Sequence, residues 1–92
     1  MSRVYKYEVP VTSVFMLYLP RGAKILSFQT QREKPTIWAL VDETVDDTEQ
    51  RAFFLVGTGH PVPDDLTYIG TTLMAGGDLV WHLFEKDESH VP

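Results

Sequence analysis

The chain has 92 residues, no cysteine and a formal net charge of −5. That length makes a single domain with a thin core, burying roughly 60 to 70% of the surface its unfolded form exposes, and the missing thiols exclude disulfides and thiolate metal ligands. No run approaches the ~18 apolar residues of a membrane-spanning helix, and an acidic chain lacks the basic groove of sequence-independent nucleic-acid binders, so neither membrane nor nucleic acid is an expected partner.

Apolar and aromatic residues come in short bursts, without helical spacing. "RVYKYEV" (3–9), "SVFMLYL" (13–19), "AKILSFQTQ" (23–31), "TIWALV" (36–41), "RAFFLVG" (51–57), "TYIGTTLM" (67–74) and "DLVWHLFE" (78–85) are seven strand-length segments rich in Val, Ile, Phe, Tyr, Trp and Thr. Turn residues separate them: Pro10 and Thr12 after the first, "PRG" at 20–22 after the second, "REKP" after the third, and Gly76–Gly77 before the last. The two glycines suit a two-residue hairpin with positive φ. "DETVDDTEQR" (42–51) has five acidic residues and Val45 as its one apolar residue; with no face to pack, it reads as a solvated hairpin loop in preference to a helix. It lacks the central glycine and alternating ligands of a calcium loop.

Strands at near-regular spacing predict an all-β fold, a small antiparallel β-sandwich or barrel of about seven strands. In "TIWALV", Trp38 and Leu40 share one face while Ile37, Ala39 and Val41 share the other; in "DLVWHLFE", Leu79, Trp81 and Leu83 oppose Val80, His82 and Phe84. Strands apolar on both faces belong in the middle of a sandwich or against a second subunit, so a homo-oligomer is expected. The domain is placed at residues 1–85, followed by a flexible polar tail at 86–92 in which His90 has no assigned role.

The segment most suggestive of a ligand is "VGTGHPVPDDL" (56–66). Gly57 and Gly59 permit close approach to the main chain, so amides around Thr58 could form an anion-binding nest, with His60 as a further donor. The plainer alternative is that the glycines turn the chain and Pro61 and Pro63 stiffen a bridge to the next strand. The motif lacks the spacing and Gly-Lys-Ser/Thr ending of a nucleotide-hydrolase phosphate loop. His60 with Asp64 and Asp65 falls short of a metal set without a third ligand elsewhere. His82 reads as a hydrogen-bonded strand histidine, and no nucleophile stands beside an evident base. No catalytic residue, metal or cofactor is therefore assigned, and the chain is read as a non-enzyme.

Charge is uneven: residues 1–34 hold six Lys/Arg against two Glu, whereas residues 35–92 hold two against eleven Asp/Glu. Arg21 is the basic residue chosen to reach an anion at Gly57, Thr58, Gly59 and His60, and Trp38 the aromatic platform for a ring, with Trp81 as the other tryptophan able to line a cleft there.

"YKY", "GAKIL", "WALVD", "GTGHPVPDD", "YIGT" and a closing "GG" before "LVWHLFE" resemble a family of short proteins of tailed bacteriophages and prophages carrying a GTGHPxPDD loop, over about Tyr5 to Glu85. The resemblance implies a compact viral protein in the cytoplasm of a host bacterium, without assigned catalytic residues. The function expected on this basis is capture and sequestration of a small anionic, nucleotide-like ligand, such as a bacterial immune signal. An inhibitor or accessory subunit meeting a host protein through its acidic surface is the second expectation, and a virion component the third.

Overall fold

Seven strands form in chain order: β1 (Ser2–Glu8), β2 (Val14–Pro20), β3 (Lys24–Gln31), β4 (Lys34–Asp42), β5 (Thr48–Gly57), β6 (Leu66–Met74) and β7 (Leu79–Lys86). The structure, a computed structural model, describes residues 1–87. Its one helical element among these is a single 3-10 turn at Ala75–Gly77, and no helix is long and apolar enough to cross a membrane. β7 runs through Lys86, and the Asp87 amide donates to Asp65 O at 3.0 Å; the rest of the expected tail, His90 included, lies outside the described residues.

Two antiparallel sheets result, β1-β4-β3 and β2-β5-β7-β6, so the expected all-β architecture of seven antiparallel strands is what the chain adopts. Side-chain alternation assigns the faces. Phe28, Ile37, Ala39 and Val41 from the first sheet meet Phe15, Leu19, Phe53, Leu55 and Leu83 from the second in one buried cluster, and the Phe15 and Phe53 rings stack with centroids 5.4 Å apart. Apart from Ala39, each of these side chains contributes about 1.5 to 3 kcal/mol by leaving water.

The sheets come closest where β3 crosses β6. There Thr30 Oγ1 donates to Leu73 O at 2.8 Å, which leaves the Thr72 hydroxyl, also 2.8 Å away, to donate to Thr30. A Cβ at Gly70 would stand 3.3 Å from that of Phe28, so the crossing depends on the missing side chain. On the same inner face Arg51 grips Glu85 with two nitrogens, at 2.5 and 2.8 Å, and donates to Ala23 O at 2.5 Å.

The glycine connection is a hairpin with positive φ, as expected, but four residues and not two join Met74 to Leu79: Asp78 N–H bonds Ala75 O at 3.2 Å, and Ala75, Gly76 and Gly77 have φ 53°, 67° and 98°. The acidic segment departs from expectation. Strand β5 begins at Thr48, and β4 and β5 belong to different sheets, so residues 43–47 form a link between layers in place of a hairpin loop. Asp42 organises its start, its carboxylate accepting from the Thr44 amide at 2.9 Å and hydroxyl at 2.7 Å, a local bond that competes with helix formation.

This link also accounts for the uneven charge. The N-terminal amine faces Asp42, Arg3 pairs with Glu43, and Arg21 lies 3.7 Å from Asp47. Two of the six basic residues of the first third, with the N-terminal amine, thus meet the acidic link, while Lys34 faces Glu8.

Candidate functional site

β5 and β6 run parallel on either side of β7, because each pairs antiparallel with it. Residues 58–65 must therefore carry the chain from the Gly57 end of β7 back to its Lys86 end. The inner face is filled by the other sheet, so the segment crosses on the outside, where Pro61 and Pro63 wall a groove of about 700 Å³ shared with Val14, Phe54, Val56 and Val80. The prolines that stiffen this crossing make the wall.

At its head the chain makes a tight turn. His60 N–H bonds Gly57 O at 3.1 Å, and Gly59 adopts φ +88°, open to glycine with little cost. The turn consumes the His60 amide, which leaves the Thr58 and Gly59 amides as the ones an anion-binding nest could use. Odd-numbered residues of β5 bond toward β2, as the Leu55 amide does to Ser13 O, and the pairing with β7 stops at Gly57. Neither the Thr58 nor the Gly59 N–H has a backbone acceptor among the described residues.

The expected site residues separate into those the fold gathers and those it does not. Gly57, Thr58 and His60 line the groove, with Gly59 in their turn. Arg21 does not reach them: Pro20 pairs with Thr48, and Gly57 lies about 30 Å further along β5 at ~3.3 Å per residue. Trp38 pairs with Lys6 and Ser27 in the other sheet, on the face opposite Ile37 and Ala39, and stands away from the turn. The tryptophan bordering the groove is Trp81, directly opposite Gly57 in the β5–β7 ladder; it shares the inner face with Leu83 and packs against the core. A Cβ on Gly57 would sit 3.4 Å from the His60 ring and 3.6 Å from that of Trp81, so the glycine brings the two rings together. Trp81 Nε1 is buried and has no hydrogen-bond partner among the described residues.

Sequence reading missed a chain of side-chain hydrogen bonds on the outer face. Tyr68 Oη lies 2.6 Å from Thr71 Oγ1, Thr71 Oγ1 lies 2.9 Å from His82 Nδ1, and His82 Nε2 lies 2.8 Å from Thr58 Oγ1. If each hydroxyl donates toward the turn, His82 holds its proton on Nε2 and Thr58 keeps its own proton for an outside acceptor. A hairpin centred on Gly76–Gly77 already sets Thr71 opposite His82, so this half was within reach of the sequence. Thr58 joins only through the tertiary turn.

The groove's lining includes Ser13, Thr58, His60 and Asp78 as its polar members and contains no Lys or Arg. Among the described residues no group of three or more His, Asp or Glu is placed to hold a metal ion. Apolar walls, an indole and a few hydroxyl, imidazole and amide donors define a small β-sandwich with a ligand-sized groove. The chain belongs to the family described as Domain of unknown function (DUF7352), whose model matches residues 1–92. No curated protein and no solved structure matches it.

Proposed function

We propose that this chain is a non-enzymatic capture protein that holds a small, flat ligand of nucleoside or mononucleotide type in the groove beside Trp81. The observation that carries the reading is an apolar-walled groove with donors from Thr58, Gly59 and His60 at one turn, where Trp81, turned to the core side with Leu83, closes the lining. The ring of the ligand takes the apolar walls, and its single anionic or acceptor group takes the donors. With no Lys or Arg in the lining and Asp78 at the rim, a di- or triphosphate would lack counter-charge.

Binding without chemistry is the better match for the Thr58–His82 contact. A threonine hydroxyl on an imidazole has the outline of a nucleophile and its base, but the group behind His82 is the neutral Thr71 hydroxyl. A neutral orienter gives no charge stabilisation to the imidazolium that base catalysis creates. The bacteriophage setting, the bacterial cytoplasm and a role in removing an immune signal rest on the sequence resemblance. The host-protein alternative draws less support, since Asp42, Glu43 and Asp47 already face cations of their own chain.

The test is a melting-temperature and tryptophan-fluorescence screen with nucleosides and with linear and cyclic mononucleotides. A ligand at 100 times its Kd adds about 2.7 kcal/mol to stability, which is roughly 10 to 20 °C for a domain of this size. Thr58→Val should weaken binding about tenfold through one lost hydrogen bond. An unmoved melting temperature across the panel, with no compound released from heated protein purified from infected cells, refutes the reading.

A further inference from the structure

The two sheets have free edges at β1 and β2, since β6 is covered by β3. Their sequences differ in kind. β1 carries Arg3, Lys6 and Glu8, the charges that ordinarily keep an exposed edge from pairing. β2 reads VFMLYLP and has no charged residue at all. Its side chains on the outer face, Val14, Met16 and Tyr18, are 51%, 50% and 67% exposed.

The backbone of β2 is equally open. Ser13 O accepts from Leu55 N–H, and the Arg21 amide bonds Asp47 O. Odd-numbered positions of this strand therefore face β5, and the amides and carbonyls of Val14, Met16 and Tyr18 point to the free edge. Among the described residues these groups meet no backbone partner; the Thr12 hydroxyl donates to Val14 O at 3.0 Å, which leaves that carbonyl a second lone pair.

We infer that β2 pairs with β2 of a second copy of this chain, antiparallel about a two-fold axis at Met16, joining two four-stranded sheets into one of eight strands. The register follows from two conditions. Outer side chains must stay on the outer face, and the edge-facing residues 14, 16 and 18 must be the ones that exchange hydrogen bonds. Pairing Met16 with Met16 and Val14 with Tyr18 meets both. An axis at Leu17 would give the same number of bonds, but two of them would fall on Pro20 O, which already accepts from the Ala23 amide at 3.0 Å, and Pro20 offers no N–H in return; with the axis at Met16 every bond runs between Val14, Met16 and Tyr18. Self-complementarity points to the same occupant. A second β2 brings no like charge opposite another on this charge-free strand, and one two-fold gives each edge-facing residue a bonding partner, while the edge offers a charge-steered partner nothing to recognise. The inference does not rest on the ligand proposed for the groove, whose lining it meets only at Ser13 and Val14.

Sedimentation equilibrium on the full chain tests it. The wild type should give twice the monomer mass of 10.5 kDa. Met16→Lys and Met16→Glu place like charges directly opposite across the axis; each should fall to the monomer mass with unchanged far-UV circular dichroism, and an equal mixture of the two should recover the doubled mass. In the wild type, amide hydrogen exchange at Met16 and Tyr18 should be slow. A monomeric wild type at its highest soluble concentration, including one whose β2 is taken by a different protein, overturns the inference. So do charge variants that keep the doubled mass, or fast exchange at both amides.

Discussion

Arg51 offers the most direct test of what holds the layers in register. Its guanidinium spans from β5 to Glu85 on β7 and to Ala23 O beyond the β2 turn, and the Arg51 and Glu85 side chains are only 16% and 20% exposed. Arg51→Met keeps the length of the stem but leaves the Glu85 carboxylate without its bidentate partner in a mostly dry place. Breaking a buried pair from one side costs about 3 to 5 kcal/mol. The residual exposure puts this case near the lower end, so we expect a loss of about 3 kcal/mol, or roughly 12 to 24 °C in melting temperature. Urea denaturation with fluorescence and circular dichroism measures it. The double change Arg51→Met with Glu85→Leu should regain most of the loss, because two apolar chains of similar volume avoid the desolvation that an unpaired charge suffers. A single-variant loss under about 1 kcal/mol, the range of exposed surface pairs, would refute the reasoning, as would a double variant no better than the single.

Two further expectations concern the link and the turn. The Glu43 carboxyl is held below its ordinary 4.5 by the Tyr5 hydroxyl and then Arg3, and Asp42 is held below 3.8 by the Thr44 hydroxyl and amide. A depressed folded value gives stability that is present above the unfolded value and lost as pH falls through the folded one. Tyr5 is raised above 10.0 chiefly by the same bond to Glu43, so its contribution is lost as pH rises past that value. Melting temperature against pH should decline at both ends for these reasons, and Glu43→Gln should flatten both declines; an unchanged profile in that variant would show that the link is not a titrating contact. At the turn, Gly59→Ala should cost about 1 to 2 kcal/mol through its φ of +88°, although nothing lies within 4 Å of the added carbon. Gly57→Ala meets the His60 ring at ordinary contact distance and should cost less, a ranking that urea titration of the two variants decides.

The seven strands, the positive-φ hairpin at Gly76–Gly77 and the special character of Gly57 to Pro63 were legible in the sequence, because each depends on neighbours within about ten residues: runs of β-favouring side chains, and glycines or prolines that restrict the backbone. Which strand lies beside which was not legible. The alternation that normally distinguishes core from solvent is blurred where Ala52 to Val56, and Leu79 to Phe84, are apolar on both faces. Pairing is a long-range matter set by how both layers close around Phe53 and Leu83. That closure put Trp81 and not Trp38 beside the turn, sent Arg21 to Asp47 at the far end of β5, and laid residues 58–65 across the outer face. Sequence determines the strands and the turn because local backbone preferences make them; only the tertiary structure decides the site, because Thr58, Thr71 and His82 meet through registers between strands separated in the chain.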